Sequence, residues 1–409
     1  MKMSIFQKIN NPDRVLIICF LFLGPFLYLI NLYNLRYLTI TLIFCIMIYA
    51  ILGRRISSRF FILALFFLTI SAITFFATGD IGACVLVSTV VSSYFFIEFL
   101  KIQKLKIYFN NIIELFIRTS FVLCVIGLVY AILGGTPIIE FSNFDQRTNY
   151  LFLTTLSNSW YPNLNIFRPS FIFDEPGTFA HFSLLMLTLR AEINKGNNCK
   201  INLLSKKEIW LLALPLITIS LAYVVSFLFI ILLAIIENIK NFKRLLIGIL
   251  FVAFSFIFFV YAVQAIDSEV FDRLIISRIM NDGNFILFDQ DRIKSFMNGI
   301  NLLNVDSFFW GQNAFCMSSN PSQCNLSSLD ADFSIISPIL TFGIFKVWPF
   351  YVIFIYLFIY AIAKKRILLM GLILFTLQRP DLLSLILINL TACLIYLSLN
   401  STKEGVKSS

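Results

Sequence analysis

The densest group of chemically useful side chains lies in a short stretch near the middle of the chain. It reads Arg-Pro-Ser-Phe-Ile-Phe-Asp-Glu-Pro-Gly-Thr-Phe-Ala-His and runs from Arg168 to His181, the only histidine of the sequence. Pro176 favours the first position of a helix, which predicts that a helix begins directly after Glu175. Free N–H groups and the positive end of the helix dipole bind anions at such a start. The stretch therefore predicts an anion site with acid–base groups beside it.

Two sides of this predicted helix start carry different groups. Asp174, Thr178 and His181 follow a helical spacing and share one face, whereas Glu175 lies about 100° round the helix from them. Glu175 is either a general acid or base, or a carboxylate that only caps the helix. His181 either takes part in chemistry or is a buried histidine whose ring is satisfied by hydrogen bonds.

Further carboxylates and an arginine form two groups nearer the C-terminus. Asp330 and Asp332 precede an apolar run, and a carboxylate beside an apolar wall is suited to act as a base, with helix capping as the alternative. Asp289 is suited to cap a short amphipathic helix, 289–300, whose first turn carries Arg292. Such a helix would lie across a membrane surface as a lid over a cavity.

Composition places all these groups in a membrane protein. Hydrophobic residues make up 59% of the 409 residues, charged residues only 13%, and 47 residues are phenylalanine. Soluble domains have roughly 45–50% apolar and roughly 25% charged residues, and they cannot bury this much apolar surface. These numbers exclude a soluble enzyme, a secreted disulfide scaffold and a disordered chain. The predicted fold is all-α, a single integral membrane domain over 1–409, built as a polytopic helical bundle.

The apolar runs predict about 12 spans with both termini in the cytoplasm. Two runs are each predicted to be a hairpin. One has predicted cytoplasmic lysines at both of its ends, and the other is interrupted by a polar break. The first is 209–237, kinked near Pro215 and turning near Ser220–Ser226, and the second is 367–399, broken at Gln378–Asp381. The other runs are 15–33, 37–52, 60–78, 81–100, 112–134, 171–190, 245–265 and 335–362. Following its charged start, 15–33 is too long for the apolar core of a cleaved signal peptide and lacks a small-residue cleavage site.

Charge orients the chain, because lysine-rich clusters flank the predicted inner ends of the spans. The basic residues left over are mostly arginines, which bind phosphate oxygens with two hydrogen bonds and tolerate partial burial; they include Arg168, Arg278 and Arg292. Arg118, inside the fifth span, is expected to pair with Glu114 on the same helix face or to extend toward the membrane surface.

Two segments fall outside the membrane in this prediction, a smaller periplasmic loop at 135–170 and a larger one at 266–334. Cys316 and Cys324 share the larger loop on an oxidising side of the membrane, so a disulfide between them is possible there. Neither a metal-binding Cys–His spacing nor a phosphate-binding glycine loop is present in the sequence, so we expect no metal and no cofactor.

At these residues the chain resembles the O-antigen polymerase (Wzy) family, within the wider group that includes O-antigen ligases. The layout is similar over nearly the whole chain, and the motifs that carry the resemblance are short. They are Arg168 with Glu175-Pro176, the helical hairpin with Ser220, the large outer loop, the amphipathic helix with Arg292, and the polar element from Asp332 to Gly343.

The resemblance implies a GT-C-like, metal-independent glycosyltransferase of the bacterial inner membrane. It implies that undecaprenyl-diphosphate-linked oligosaccharides are the substrates, and that the growing glycan moves from its lipid diphosphate to a newly flipped repeat unit. Arg168, Arg278 and Arg292 would then hold the diphosphate. Glu175 is the first choice for the base and Asp332 the second, with Asp330 and His181 as further catalytic candidates.

Partners implied by the resemblance are membrane lipids, a chain-length regulator and a flippase, and nucleic acid is not expected. Two alternative functions remain open. One is an O-antigen ligase, disfavoured because ligases carry a histidine near the end of the large loop, where this chain has Asp330 and Asp332. The other is a flippase or transporter of lipid-linked oligosaccharides, disfavoured because the sequence shows no obvious internal repeat.

Overall fold

The fold is taken from a computed structural model, which describes 103–142, 148–162, 165–173, 175–196, 202–238 and 344–378. It also describes 280–281, 284–285, 297, 300–301, 305–310, 339, 390–391 and 393–399. Several predictions lie outside the described residues. These are the spans 15–33, 37–52, 60–78, 81–100 and 245–265, together with Asp174, Arg278, Arg292, Asp330, Asp332, Cys316 and Cys324.

Helix α1, Gln103–Ile132, is 30 residues long and rich in Leu, Ile, Val and Phe. It ends where two glycines follow. Gly134 takes a left-handed conformation with φ of 89°, its N–H donates to the Ala131 carbonyl, and the Gly135 N–H donates to the Tyr130 carbonyl. This pattern of two bonds is a Schellman cap, which depends on the residue without a Cβ. The sequence prediction of a helix through 112–134 is confirmed.

The segment predicted as the smaller periplasmic loop contains β-structure, which the sequence prediction did not include. Strands β1 (Ile139–Ser142), β2 (Thr148–Phe152) and β3 (Thr155–Ser157) form an antiparallel sheet in that order. Strands β4 (Trp160–Tyr161) and β5 (Ile166–Phe167) form an antiparallel pair. Phe152, Phe167 and Ala131 of α1 form a shared buried core. The strands therefore pack along the last turns of α1 instead of extending away from it.

Helix α2, Pro176–Gly196, begins at Pro176, as the sequence predicts. Every residue from Pro176 to Arg190 is buried. A helix enclosed by protein along this length does not need a lipid-facing apolar surface, which is consistent with its Thr, Ser, His and Arg residues.

The predicted kink near Pro215 is present, whereas the turn predicted near Ser220–Ser226 is not, because residues 221–226 are helical. Helix α3, Lys206–Ala213, runs into a 3₁₀ helix, Leu214–Thr218, with Pro215 in its first turn, and helix α4, Leu221–Asn238, follows. Proline cannot donate the backbone hydrogen bond that a continuous α-helix requires. No single helix therefore runs through this stretch. That its two arms form a membrane hairpin stays a prediction.

The chain divides into two compact units, 1–223 with 381–409, and 224–380. The second unit contains most of α4, the short pair β6 (Met280–Asn281) and β7 (Asn284–Phe285), and helices α5 (Val305–Trp310), α6 (Ile344–Ala363) and α7 (Ile367–Gln378). Gly371 of α7 lies directly against Ile230 of α4. Helix α7 ends at Gln378, where the sequence predicts the polar break.

Among the described residues, one helix segment, Tyr108–Ile132, is long and apolar enough to cross a membrane. Shorter apolar helices are Leu221–Glu237, Tyr351–Ala363 and Ile367–Leu377. The count of about 12 spans stays a prediction.

Candidate functional site

The site begins at Arg168, the residue that follows β5. Its N–H donates to the Ser159 carbonyl at 3.1 Å, which fixes its backbone to the β4–β5 pair. Its side chain is buried, and its Nη2 atom donates to the carbonyl oxygen of Ile219 at 3.1 Å. A buried guanidinium carries a large desolvation cost unless its donors are engaged and an anion is near. Arg168 is therefore a buried positive charge, and the Ile219 carbonyl engages one of its donors.

Ile219 lies in the break between the 3₁₀ helix and α4. Its φ and ψ of 50° and 38° are left-handed, and its N–H donates to the Leu216 carbonyl. The left-handed region disfavours a β-branched residue by about 1–3 kcal/mol, so surrounding contacts must hold this conformation. Because of this conformation, the Ile219 carbonyl takes no part in the helical hydrogen-bond pattern and accepts a hydrogen bond from Arg168. Thr218 and Ser220 on either side are buried.

A pinned turn connects Arg168 to the start of α2. The Leu156 N–H of β3 donates to the Phe171 carbonyl at 2.6 Å, and the Ser170 N–H donates back to the Leu156 carbonyl at 2.8 Å. Phe173 N–H then donates to the Ser170 carbonyl at 3.0 Å. Phe171 itself has a φ of 56°, a second strained position close to the site. These bonds set the direction in which Arg168 and Glu175 leave the turn.

Aromatic side chains anchor the same turn to the helices. Phe171 meets Phe116 of α1 with ring centroids 5.7 Å apart, and Phe173 meets Phe182 of α2 at 5.1 Å. Phe116 and Phe182 are themselves 5.4 Å apart in an edge-to-face arrangement. Such pairs add about 0.5–1.5 kcal/mol each beyond the area that they bury. The turn is therefore a rigid part of the α1–α2 core.

Glu175 lies at the start of α2, as predicted. Its carbonyl accepts from the Phe179 N–H at 3.2 Å, the first helical bond, and the residue is 8% exposed. Thr178 and His181 follow on α2, and both are buried. Glu175, Thr178 and His181 thus lie around the first two turns of α2, and Arg168 precedes them in the chain, with its side chain held at Ile219. The structure describes neither Asp174 nor the other predicted arginines and aspartates.

A separate group of charges lies toward the other end of α2. Arg190 contacts Glu208 of α3 through both terminal nitrogens, at 2.5 and 3.0 Å, and Glu114 of α1 at 3.7 Å. Glu114 also contacts Lys207 and Arg118, each at 2.7 Å. The predicted pair of Arg118 and Glu114 is confirmed, with the Arg118 side chain 55% exposed. This cluster joins α1, α2 and α3 at the end predicted to face the cytoplasm.

Two contributors to the site were missed by sequence reasoning. The Ile219 carbonyl was missed because a backbone group in a left-handed break leaves no side-chain signature. The β3 contacts were missed because the Thr-Asn-Tyr-Leu-Phe-Leu-Thr-Thr-Leu-Ser stretch was assigned to a loop, although its aromatic and β-branched content is typical of strands.

The arrangement is chemically suited to bind an anion and to move a proton beside it. The first N–H groups of α2 and the guanidinium of Arg168 are its positive groups, and the Glu175 carboxyl directly precedes the helix. Within the described ranges, no group of three or more His, Cys, Asp or Glu side chains is gathered as a metal site. Comparison with protein-family models, curated proteins and solved structures finds no match to this chain.

Proposed function

We propose that the chain is a membrane glycosyltransferase that polymerises lipid-diphosphate-linked oligosaccharide repeat units at the outer face of the inner membrane. The observation that carries the proposal is the buried Arg168, which contacts a helix break and precedes the start of α2 by eight residues in the chain. Charge inside a membrane domain is costly and marks function more often than it marks stability. A diphosphate is the anion that such a site would bind at a membrane.

In the proposed reaction the acceptor hydroxyl oxygen forms a bond to the anomeric carbon of the donor glycan. The bond from that carbon to the lipid diphosphate breaks, and the diphosphate leaves with the electron pair. Glu175 takes the hydroxyl proton, and Arg168 stabilises the negative charge that develops on the leaving oxygen. Arg278 and Arg292 are proposed as further ligands of the diphosphate, and Asp332 as the alternative base.

One observation favours a transporter as the second candidate. Broken helices such as the one at Ile219 are common where membrane transporters bind their substrates. A transporter would need Arg168 to bind an anion but would need no proton acceptor. Glu175 therefore separates the two functions, because a transporter tolerates loss of its carboxylate charge and a transferase of the proposed kind does not.

The experiment is a lipopolysaccharide gel from a strain without the gene, complemented with the wild-type chain or with single variants. Polymerase activity predicts that the deletion leaves core with a single repeat unit and no ladder. A ligase predicts core without any unit while polymer accumulates on its lipid carrier, and a flippase predicts loss of both with units trapped on the inner leaflet. An unchanged ladder would contradict the proposed function.

A further inference from the structure

The β2–β3 hairpin contacts α1 well below the end of that helix. The Thr154 hydroxyl donates to the Leu123 carbonyl at 2.6 Å, and the Cys124 Sγ atom lies 3.7 Å from Thr155 Oγ1. A Cβ added to Gly127 would clash with Thr155 Cγ2 and lie 3.1 Å from the Phe152 carbonyl oxygen. Leu123 precedes the last residue of α1, Ile132, and a helix rises about 1.5 Å per residue. The hairpin tip therefore lies about 13 Å below the end of the helix, measured along its axis.

The outer face of α1 remains apolar beyond that level. Its exposed side chains include Leu115, Val122, Ile126, Val129 and Ile132. The apolar surface continues past the helix, since Leu133 is 82% exposed and both Ile138 and Ile139 are exposed. Apolar surface of this length, facing outward at helical spacing, is typical of contact with lipid.

Membrane thickness places the hairpin tip inside the hydrocarbon. The apolar part of α1 begins at Tyr108, and about 20 residues cross the hydrocarbon, so its outer edge lies at about residue 128. Exposed charge on Arg118 and the apolar residues beyond Ile132 both move this edge further out. Leu123 is then about 7 Å or more below the edge.

We infer that the segment of β2 and β3 is a re-entrant hairpin, whose tip at Leu153 contacts the acyl chains of the outer membrane leaflet. Leu153 is half exposed, and its φ of 48° holds the tip of a two-residue connection between the strands. Backbone that is not helical is tolerated at this depth only where protein satisfies its polar groups. The Thr154 N–H donates to the Phe152 carbonyl, the Thr154 hydroxyl donates to the Leu123 carbonyl, and the strand ladder pairs Phe152 with Thr155.

This placement has a consequence for the site. Phe167 lies against Gly127 of α1, so Arg168, the next residue, is also below the end of the helix. The inference rests on the proposed function, which places this end of α1 at the outer face of the membrane. It adds the depth of the site to that function. The anion site is recessed into the outer leaflet, so a ligand attached to a lipid would reach it without leaving the bilayer.

Single cysteines at Leu153, Leu133 and Glu140 test the depth in a background whose eight native cysteines are replaced. Glu140 is exposed on β1 and serves as the water-facing reference, while Leu133 is the reference at the helix end. In intact cells we expect a charged, impermeant maleimide to label Glu140→Cys at least about tenfold faster than Leu153→Cys. A spin label at position 153 should collide with oxygen more often than with a water-soluble nickel complex, as at position 133.

Equal labelling of Leu153→Cys and Glu140→Cys by the impermeant reagent would overturn the inference. Labelling of Glu140→Cys only from the cytoplasmic side would overturn both the inference and the proposed function. If the deletion strain keeps its ladder while Leu153→Cys stays protected, the proposed function fails and the inference stands. Labelling of the wild-type protein with a lipid-soluble diazirine tests the same depth without a variant. Peptides covering 151–155 should carry the label. If they do not, the inference is contradicted.

Discussion

The Arg168 guanidinium donates a hydrogen bond to the carbonyl of Ile219, which lies 51 residues further along the chain and 3.1 Å away. One partner follows strand β5, and the other is the left-handed residue of a helix break. A buried guanidinium and an isoleucine in the left-handed region are each energetically costly. Together they explain one another, because the break supplies the buried acceptor that the arginine requires.

Replacement of Arg168 by lysine should abolish most of the repeat-unit ladder while leaving the protein in the membrane. Lysine keeps the charge but lacks the planar fork that reaches Ile219 and a phosphate at the same time. We expect loss of activity of about tenfold or more, measured as ladder length and intensity on the gel. Arg118→Lys is the matched control, because that side chain is 55% exposed and forms an ion pair with Glu114 on its own helix. Full activity of Arg168→Lys would contradict the role in anion binding.

Glu175→Gln tests whether the carboxylate moves a proton or only caps α2. The amide has the same shape and still accepts a hydrogen bond, so a capping role predicts near-normal activity. A role as general base predicts a loss of about 10²-fold or more, because the amide cannot take a proton. Glu140→Gln removes an exposed carboxylate of β1 and is the control.

The same comparison is needed for Asp332→Asn, the alternative base. Activity that survives Glu175→Gln but not Asp332→Asn would transfer the role of base to Asp332. If both variants remain active, neither carboxylate is the base and the proposed proton transfer is wrong.

Sequence reasoning predicts the local starts and stops of the helices well. Pro176 marks the start of α2, Pro215 marks the change from α3 to a 3₁₀ helix, and α7 ends at Gln378, beside the predicted polar break. These signals are local, because proline fixes its own φ and removes its own donor. The ion pair of Glu114 and Arg118 is predictable for the same reason, since residues four apart share a helix face.

Contacts between distant segments could not be predicted from the sequence in the same way. Nothing local indicates that Thr154 reaches Leu123, or that Arg190 reaches both Glu208 and Glu114. The short strands of the outer loop are stabilised by packing on α1, which sequence patterns of a few residues do not report. The sequence therefore locates the candidate site by its helix start. The contact of Arg168 with the Ile219 carbonyl could not be predicted, because it forms only in the tertiary fold.

Gly127→Ala should loosen the hairpin from α1. The added methyl group would clash with Thr155 Cγ2 and lie 3.1 Å from the Phe152 carbonyl oxygen, and a backbone atom cannot yield as a flexible side chain does. We expect the folded protein in detergent to be destabilised by about 1–3 kcal/mol, measured by thermal or denaturant melting of the purified protein. Labelling of a cysteine at Leu153 should become faster in the same variant.

The double variant Gly127→Ala with Thr155→Ser provides the control for this clash. Serine lacks the Cγ2 atom that lies nearest to the added methyl group, so part of the lost stability should return. Thr155→Ser alone measures the cost of that change. If Gly127→Ala melts like the wild type, the hairpin does not pack on α1 as described.

Arg190 and Arg118 contact the same carboxylate, Glu114, from different environments, and their replacement by glutamine should separate buried from exposed ion pairs. Arg190 is 5% exposed and holds Glu208 through two hydrogen bonds, so Arg190→Gln leaves the buried Glu208 carboxylate without the arginine that pairs with it. We expect destabilisation of about 3–5 kcal/mol for this change. Arg118→Gln should cost at most about 1 kcal/mol, because water screens the exposed pair. Equal losses in the melting of both variants would mean that the Arg190 pair is not buried as described.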